Sequence, residues 1–121
     1  MDRGLNVPKV RDILNKKVIA LETDFSVLDV VHIFNKFRIS SAPVVNTEKE
    51  VVGYISEIDF LNCLGNCLFF DESRNPTIES IMATDVRHAN SEWDIFELDK
   101  FFSDNHIRSA PVIDSENHLI G

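Results

Sequence analysis

Apolar positions recur at intervals of three and four in two stretches of the chain. The first stripe is Val27, Leu28, Val30, Val31, Phe34 and Phe37; the second is Ile95, Phe96, Leu98, Phe101 and Phe102. This spacing predicts two amphipathic helices. Ser26 stands three residues before Asp29, and Asp94 three before Glu97, the spacing of a helix start whose side chains cap the first free N–H groups. Ahead of each helix lie a short helical segment (residues 9–14 and 78–82) and a strand signal (18–21 and 86–89). Behind each lies an unalternating apolar run, 42–45 and 110–113, the pattern of a strand buried on both faces. Polar turns follow at 46–50 and 114–118, and in the first half a strand at 51–55 completes a hairpin and a helix runs from about 57 to 67.

The elements occur twice because the sequence does. An offset of 68 aligns residues 10–53 with 78–121 without a gap, pairing Ile13 with Ile81, Val18 with Val86, Phe34 with Phe102, Ile39 with Ile107 and Gly53 with Gly121. The densest match sets Ser41-Ala42-Pro43-Val44 on Ser109-Ala110-Pro111-Val112. The fold class is α/β, with each repeat ordered helix, strand, helix, strand, strand, helix. Repeat 1 spans 1–69, a linker rich in turn residues 70–76, and repeat 2 spans 77–121. About 60 residues bury only a thin core, so the two repeats are expected to pack together as one pseudo-twofold module. The second repeat stops within its hairpin, so the sequence reads as cut short, or as completed by elements supplied from elsewhere.

Composition narrows the function. The 121 residues are 44% hydrophobic and 26% charged, an ordinary folded domain, and 12 Lys+Arg against 20 Asp+Glu leave a net charge of −8. Such a balance disfavours nucleic acid and anionic membranes as partners. The charge is uneven: residues 1–60 hold 8 basic and 9 acidic groups, residues 61–121 hold 4 and 11. The acidic half is a solvated face or a docking face for a basic partner. No apolar run reaches the roughly 18 residues of a membrane span and the start lacks the order of a secretory signal, so a cytoplasmic protein is expected. Cys63 and Cys67 share a helix face without further Cys or paired His, and read as reduced buried thiols rather than metal ligands. No nucleophile with a base, phosphate loop of the GxxxxGK type or metal set is present, and an enzyme is not expected.

The tandem repeat, the two Ser-Ala-Pro-Val strands and Gly53-Tyr54-Ile55-Ser56-Glu57-Ile58-Asp59 resemble the paired cystathionine beta-synthase (CBS) domains, also called the Bateman module. The resemblance covers about residues 7–121 and implies a regulatory module that binds an adenosine-containing ligand (AMP, ADP, ATP or S-adenosylmethionine) in a cleft between repeats and controls an attached or associated protein. The alternative is a ligand-free dimerisation module. On the residues themselves, Gly53 allows close backbone approach, Ser56 can offer a hydroxyl and helix-start amides to a phosphate, and Asp59 can accept both ribose hydroxyls. Ser56 with Asp59 is equally a helix cap without any ligand. The resemblance places Tyr54 beside the adenine and Ser40, Ser41, Ala42 and Pro43 along the cleft, where close packing of a buried strand is the competing account. Arg108 stands where repeat 1 has Ser40 and is either a phosphate contact or a solvated surface residue. Repeat 2 offers no counterpart of Ser56 or Asp59, so one complete site at most is expected, and the net charge opposes a polyanion there. Homodimers are expected through Leu61, Leu64, Leu68, Phe101 and Phe102.

Overall fold

Ser26 and Asp94 start the two long helices as their spacing predicts. Helix α2 (Val27–Phe37) begins where Ser26 Oγ accepts the Asp29 N–H at 3.1 Å, and α4 (Ile95–Asn105) where Asp94 Oδ1 accepts the N–H groups of Phe96 and Glu97, each at 2.9 Å. Each oxygen satisfies donors that have no carbonyl within the helix. Both helices end alike: Arg38 (φ 54°) and His106 (φ 56°) turn left-handed and return their N–H to Phe34 O and to Phe102 O and Ser103 O. This computed structural model describes residues 6–67 and 76–121. The linker at 70–75 and Leu68 lie outside the described residues, as do the side chains of Leu64 and Cys67.

The remaining helices are α1 (Val10–Ile13), α3 (Glu57–Cys67) and a 3₁₀ turn at Ile78–Ser80. The strands are β1 (Leu21–Glu22), β2 (Ser41–Val45), β3 (Val51–Ser56), β4 (Ala89–Asn90) and β5 (Val112–Ile113). One sheet has the order β1-β2-β3, with β1 parallel and β3 antiparallel to β2; the other pairs β4 with β5 in parallel. The strands expected at 18–21 and 86–89 are shorter and later. Only Leu21 and Glu22 find ladder partners in Val44 and Val45, and only Ala89 and Asn90 in Val112 and Ile113. The run expected at 110–113 narrows to Val112–Ile113 for the same reason. The second hairpin is nevertheless closed, with Val112 N–H on Gly121 O at 2.8 Å and Ile120 N–H on Val112 O at 2.9 Å.

Compactness cuts across the sequence copies. One compact unit is Ile19–Val86; the other joins the chain through Val18 to Arg87–Gly121. Each copy's opening turn is therefore built into the sheet that the other copy supplies. Ile78 N–H bonds Phe25 O at 2.9 Å, and its counterpart Val10 N–H bonds Trp93 O at 2.8 Å. Val27 N–H bonds Pro76 O at 2.9 Å, and Ile95 N–H bonds Pro8 O at 3.1 Å. In the first unit Ile78 is fully buried among Leu21, Val30, Phe34, Val44, Ile55 and Phe60, with the Phe34 and Phe60 rings edge to face at 5.0 Å. In the second, Val10 packs with Ala89 and Val112, and Leu14, Trp93, Leu98 and Phe101 close over them.

Phe101, expected as free helix surface, lies half-buried with its ring 5.2 Å from Trp93, and Phe102 is half-buried beside it. Among the described residues, Ile13, Leu28, Phe37, Ile58, Leu61 and Phe96 are the large apolar side chains that the helices leave exposed. On α2 the buried side is the stripe Val27, Val30 and Phe34, and Leu28 and Phe37 fall off it at a helical pitch. Cys63 is buried and forms no disulfide.

The second hairpin turn carries a pH dependence. Asp114 Oδ1 accepts the His118 N–H at 3.0 Å and the Glu116 N–H at 2.8 Å. The His118 N–H first, then, against partial desolvation, the Glu116 N–H and the His118 imidazole hold the Asp114 carboxyl below its ordinary 3.8. A carboxyl depressed by folding adds stability above its unfolded value and loses it as pH falls through the folded one. An NMR titration of the Glu116 and His118 amides is expected to show a shared midpoint below 3.8; a midpoint at or above that value refutes the turn geometry.

Candidate functional site

The β2–β3 register sorts the candidate residues by face. Ser41 lies opposite Ser56, Ala42 opposite Ile55 and Pro43 opposite Tyr54. Because side chains alternate along a strand, Ser41, Pro43, Tyr54 and Ser56 share one face, while Ala42, Val44 and Ile55 turn into the core. The Ser41 and Tyr54 hydroxyls meet diagonally across the pair at 3.1 Å. Ala42, expected along the cleft, is thus a core residue that lends the site only backbone. Ser40 is exposed just before β2, and its carbonyl accepts the Glu57 N–H at 3.0 Å.

Ser56 ends β3 and α3 starts at the next residue. Asp59 Oδ2 accepts both the Ser56 N–H, at 2.8 Å, and the Ser56 hydroxyl, at 3.2 Å. Asp59 therefore closes the cap of α3 as well as standing at the candidate site. Ser40, Ser41, Pro43, Tyr54, Ser56 and Asp59 are gathered at the end of the hairpin remote from its turn. Arg108 belongs to the other unit, exposed in the coil that follows α4.

Two residues that hold this end in place went unnoticed in the sequence. Tyr54 exchanges both backbone hydrogen bonds with Ala83, each at 2.9 Å, which fixes the strand under its ring. Met82 fills the space beside Gly53, where an added Cβ would lie 2.9 Å from Met82 Cγ and Cε. The signal available was the repeat itself, which sets Met82 on Leu14 at the end of the opening segment, with Ala83 directly after it.

The family model for the CBS domain matches residues 10–66 and 78–121. The chain belongs to the CBS domain family. Its two matched segments and mixed α/β fold are those of a CBS domain pair, or Bateman module. The uncharacterized protein MJ1426 of Methanocaldococcus jannaschii is 28% identical over an alignment covering 93% of this chain and 83% of that protein. Inosine-5'-monophosphate dehydrogenase of the same organism is 27% identical over 95% of this chain, which spans only 22% of the enzyme. Among solved structures, the CBS domain pair of protein MJ0100, in complex with 5'-methylthioadenosine and S-adenosyl-L-methionine, superposes with a TM-score of 0.76 at 26% identity, over 95% of this chain and 87% of that one. Among the described residues no helix of this CBS pair is long and apolar enough to cross a membrane.

Proposed function

We propose that this CBS pair is a non-catalytic regulatory module that binds an adenosine-containing small molecule and signals its occupancy to an attached or associated protein. The observation that carries the reading is the Asp59 carboxylate at the start of α3, beside the shared face of Ser41, Pro43, Tyr54 and Ser56. A similar CBS pair, that of MJ0100, is described with two adenosine compounds, which supports the same ligand class here. Asp59 is the ribose anchor: Oδ2 is engaged by Ser56, and the carboxylate retains lone pairs for the two ribose hydroxyls. Tyr54 flanks the base, with its ring steadied by the Ser41 hydroxyl and its backbone by Ala83. Ser40 and Ser41 supply small side chains for a flat ring, while Pro43, on the Ser41 face, is buried.

Asp59→Ala is expected to weaken binding about ten- to hundredfold, the loss of charge-assisted hydrogen bonds worth roughly 1.5–3 kcal/mol. Because Asp59 also accepts the Ser56 N–H, this variant should lose about 1 kcal/mol of stability as well. Asp59→Asn separates the effects, since its amide oxygen keeps the cap while the charge is gone. Isothermal titration of both variants alongside thermal unfolding checks this. Unchanged affinity with a lowered melting temperature would mean that Asp59 is a cap alone.

A second reading, a ligand-free homodimerisation module, draws on Ile58 and Leu61, exposed one turn apart on α3. Light scattering that finds a dimer, together with no heat from AMP, ATP or S-adenosylmethionine at millimolar concentration, would favour it over ligand binding.

A further inference from the structure

Resting on the adenosine reading of this site, we infer that it selects adenosine compounds without phosphate over adenine nucleotides. A helix start holds phosphate through unengaged N–H groups and the positive end of the helix dipole, normally with a cation nearby. Here two of those N–H groups and the adjoining hydroxyl are already engaged within the chain. The Ser56 N–H and hydroxyl go to Asp59, and the Glu57 N–H goes to the Ser40 carbonyl. The first turn of α3 carries the carboxylates of Glu57 and Asp59, so the dipole's positive end is compensated before any ligand arrives.

The surrounding charge has the same sign. The unit Ile19–Val86 holds 4 Lys+Arg and 11 Asp+Glu, a net of −7, whereas the rest of the chain holds 8 and 9, a net of −1, together making the total of −8. The unit that carries the candidate site thus holds nearly all of the excess negative charge. Its basic residues within the described chain are Lys36, Arg38 and Lys49. Lys36 Nζ sits over the Phe37 ring at 5.4 Å. Lys49 is in the hairpin turn, about five residues of strand, or roughly 15 Å, from Ser41 and Ser56. Arg38 ends α2, two residues before Ser40, with its side chain exposed. A ribose diol needs an acceptor, which Asp59 provides; a phosphate needs donors, and those of Ser56 and Glu57 are engaged. A cationic substituent, such as a sulfonium, meets a field that attracts it.

The test is calorimetric titration of the full chain with adenosine, S-adenosylmethionine, AMP and ATP at low and high salt. Adenosine and S-adenosylmethionine are expected to bind about tenfold or more tightly than AMP, and ATP most weakly. AMP affinity should rise with salt as repulsion is screened. Glu57→Gln should strengthen AMP about threefold and leave adenosine unchanged, because only the phosphate faces the removed charge. AMP binding tighter than adenosine, or weakening as salt is added, overturns the selectivity while the adenosine reading stands. If none of the four binds, the adenosine reading fails and the selectivity with it.

Discussion

Ile78→Ala is expected to destabilise the unit built on the β1-β2-β3 sheet by about 2–5 kcal/mol, although Ile78 belongs by sequence to the second repeat. Its side chain is fully buried among Leu21, Val30, Phe34, Val44, Ile55 and Phe60. The three-residue 3₁₀ turn that carries it has almost no stability of its own, so the side chain is what holds the segment down. Truncation leaves a void between α2, α3 and the sheet, and a packed interior relaxes only partly around a void. At a few degrees per kcal/mol, the thermal midpoint of this unit should fall by roughly 10 °C or more. Hydrogen exchange locates the effect: amides of Val44 and Ile55 should lose protection while those of Ala89 and Val112 keep it. Val10→Ala should show the opposite distribution, because Val10 packs with Ala89 and Val112. Loss of protection confined to β4 and β5 in the Ile78 variant would sink the exchange of opening segments.

Gly53→Val should cost about 1–3 kcal/mol through overpacking, and Met82→Ala should restore part of that loss. The cause is space rather than backbone conformation. Gly53 has no left-handed φ, but a Cβ there would lie 2.9 Å from Met82 Cγ and Cε, with Sδ nearer still. Methionine adapts to its surroundings, so Gly53→Ala should be milder than Val. The decisive quantity is the coupling in a double-mutant cycle read by thermal or urea unfolding. A double variant more stable than Gly53→Val alone is the expected outcome. Simple addition of the two losses would mean that Met82 does not limit the space at Gly53.

Local features of the fold were legible where one residue type has one local use. Ser26 and Asp94 marked helix starts, and the apolar run at 42–45 followed by a polar turn marked the hairpin. Strand length was not legible, because Val18 and Val86 are as apolar as Leu21 and Ala89; only a ladder partner makes a strand, and the partners are limited to Val44, Val45, Val112 and Ile113. The exchange of opening segments was hidden for a related reason. An alignment of repeats says which residues resemble one another, and Ile78 presents the same apolar side chain to either sheet.

Within the candidate site, strand alternation was enough to turn Ala42 away from Ser41 and Pro43, since neighbours on a strand face opposite sides. The double service of Asp59, cap and candidate ligand acceptor, was open in the sequence because the same spacing fits both.

The unit Ile19–Val86 is one unbroken stretch, whereas the unit holding α1 is assembled from two stretches on either side of it. During synthesis the β1-β2-β3 sheet and Ile78 are all available once residue 86 has left the ribosome. Val10 must wait for Trp93 and Val112, 83 and 102 residues further on. At about 5–20 residues per second, the stretch from 87 to 113 takes roughly one to five seconds. Loop-closure entropy adds only a few tenths of a kcal/mol for a closure of 83 residues against 53 for Ile78 with Phe25. The delay is therefore one of timing rather than of stability. The nascent chain completes the unit that carries the candidate site first, and the opening segment with Val10 and Leu14 gains its packing partners only when β4 and β5 arrive.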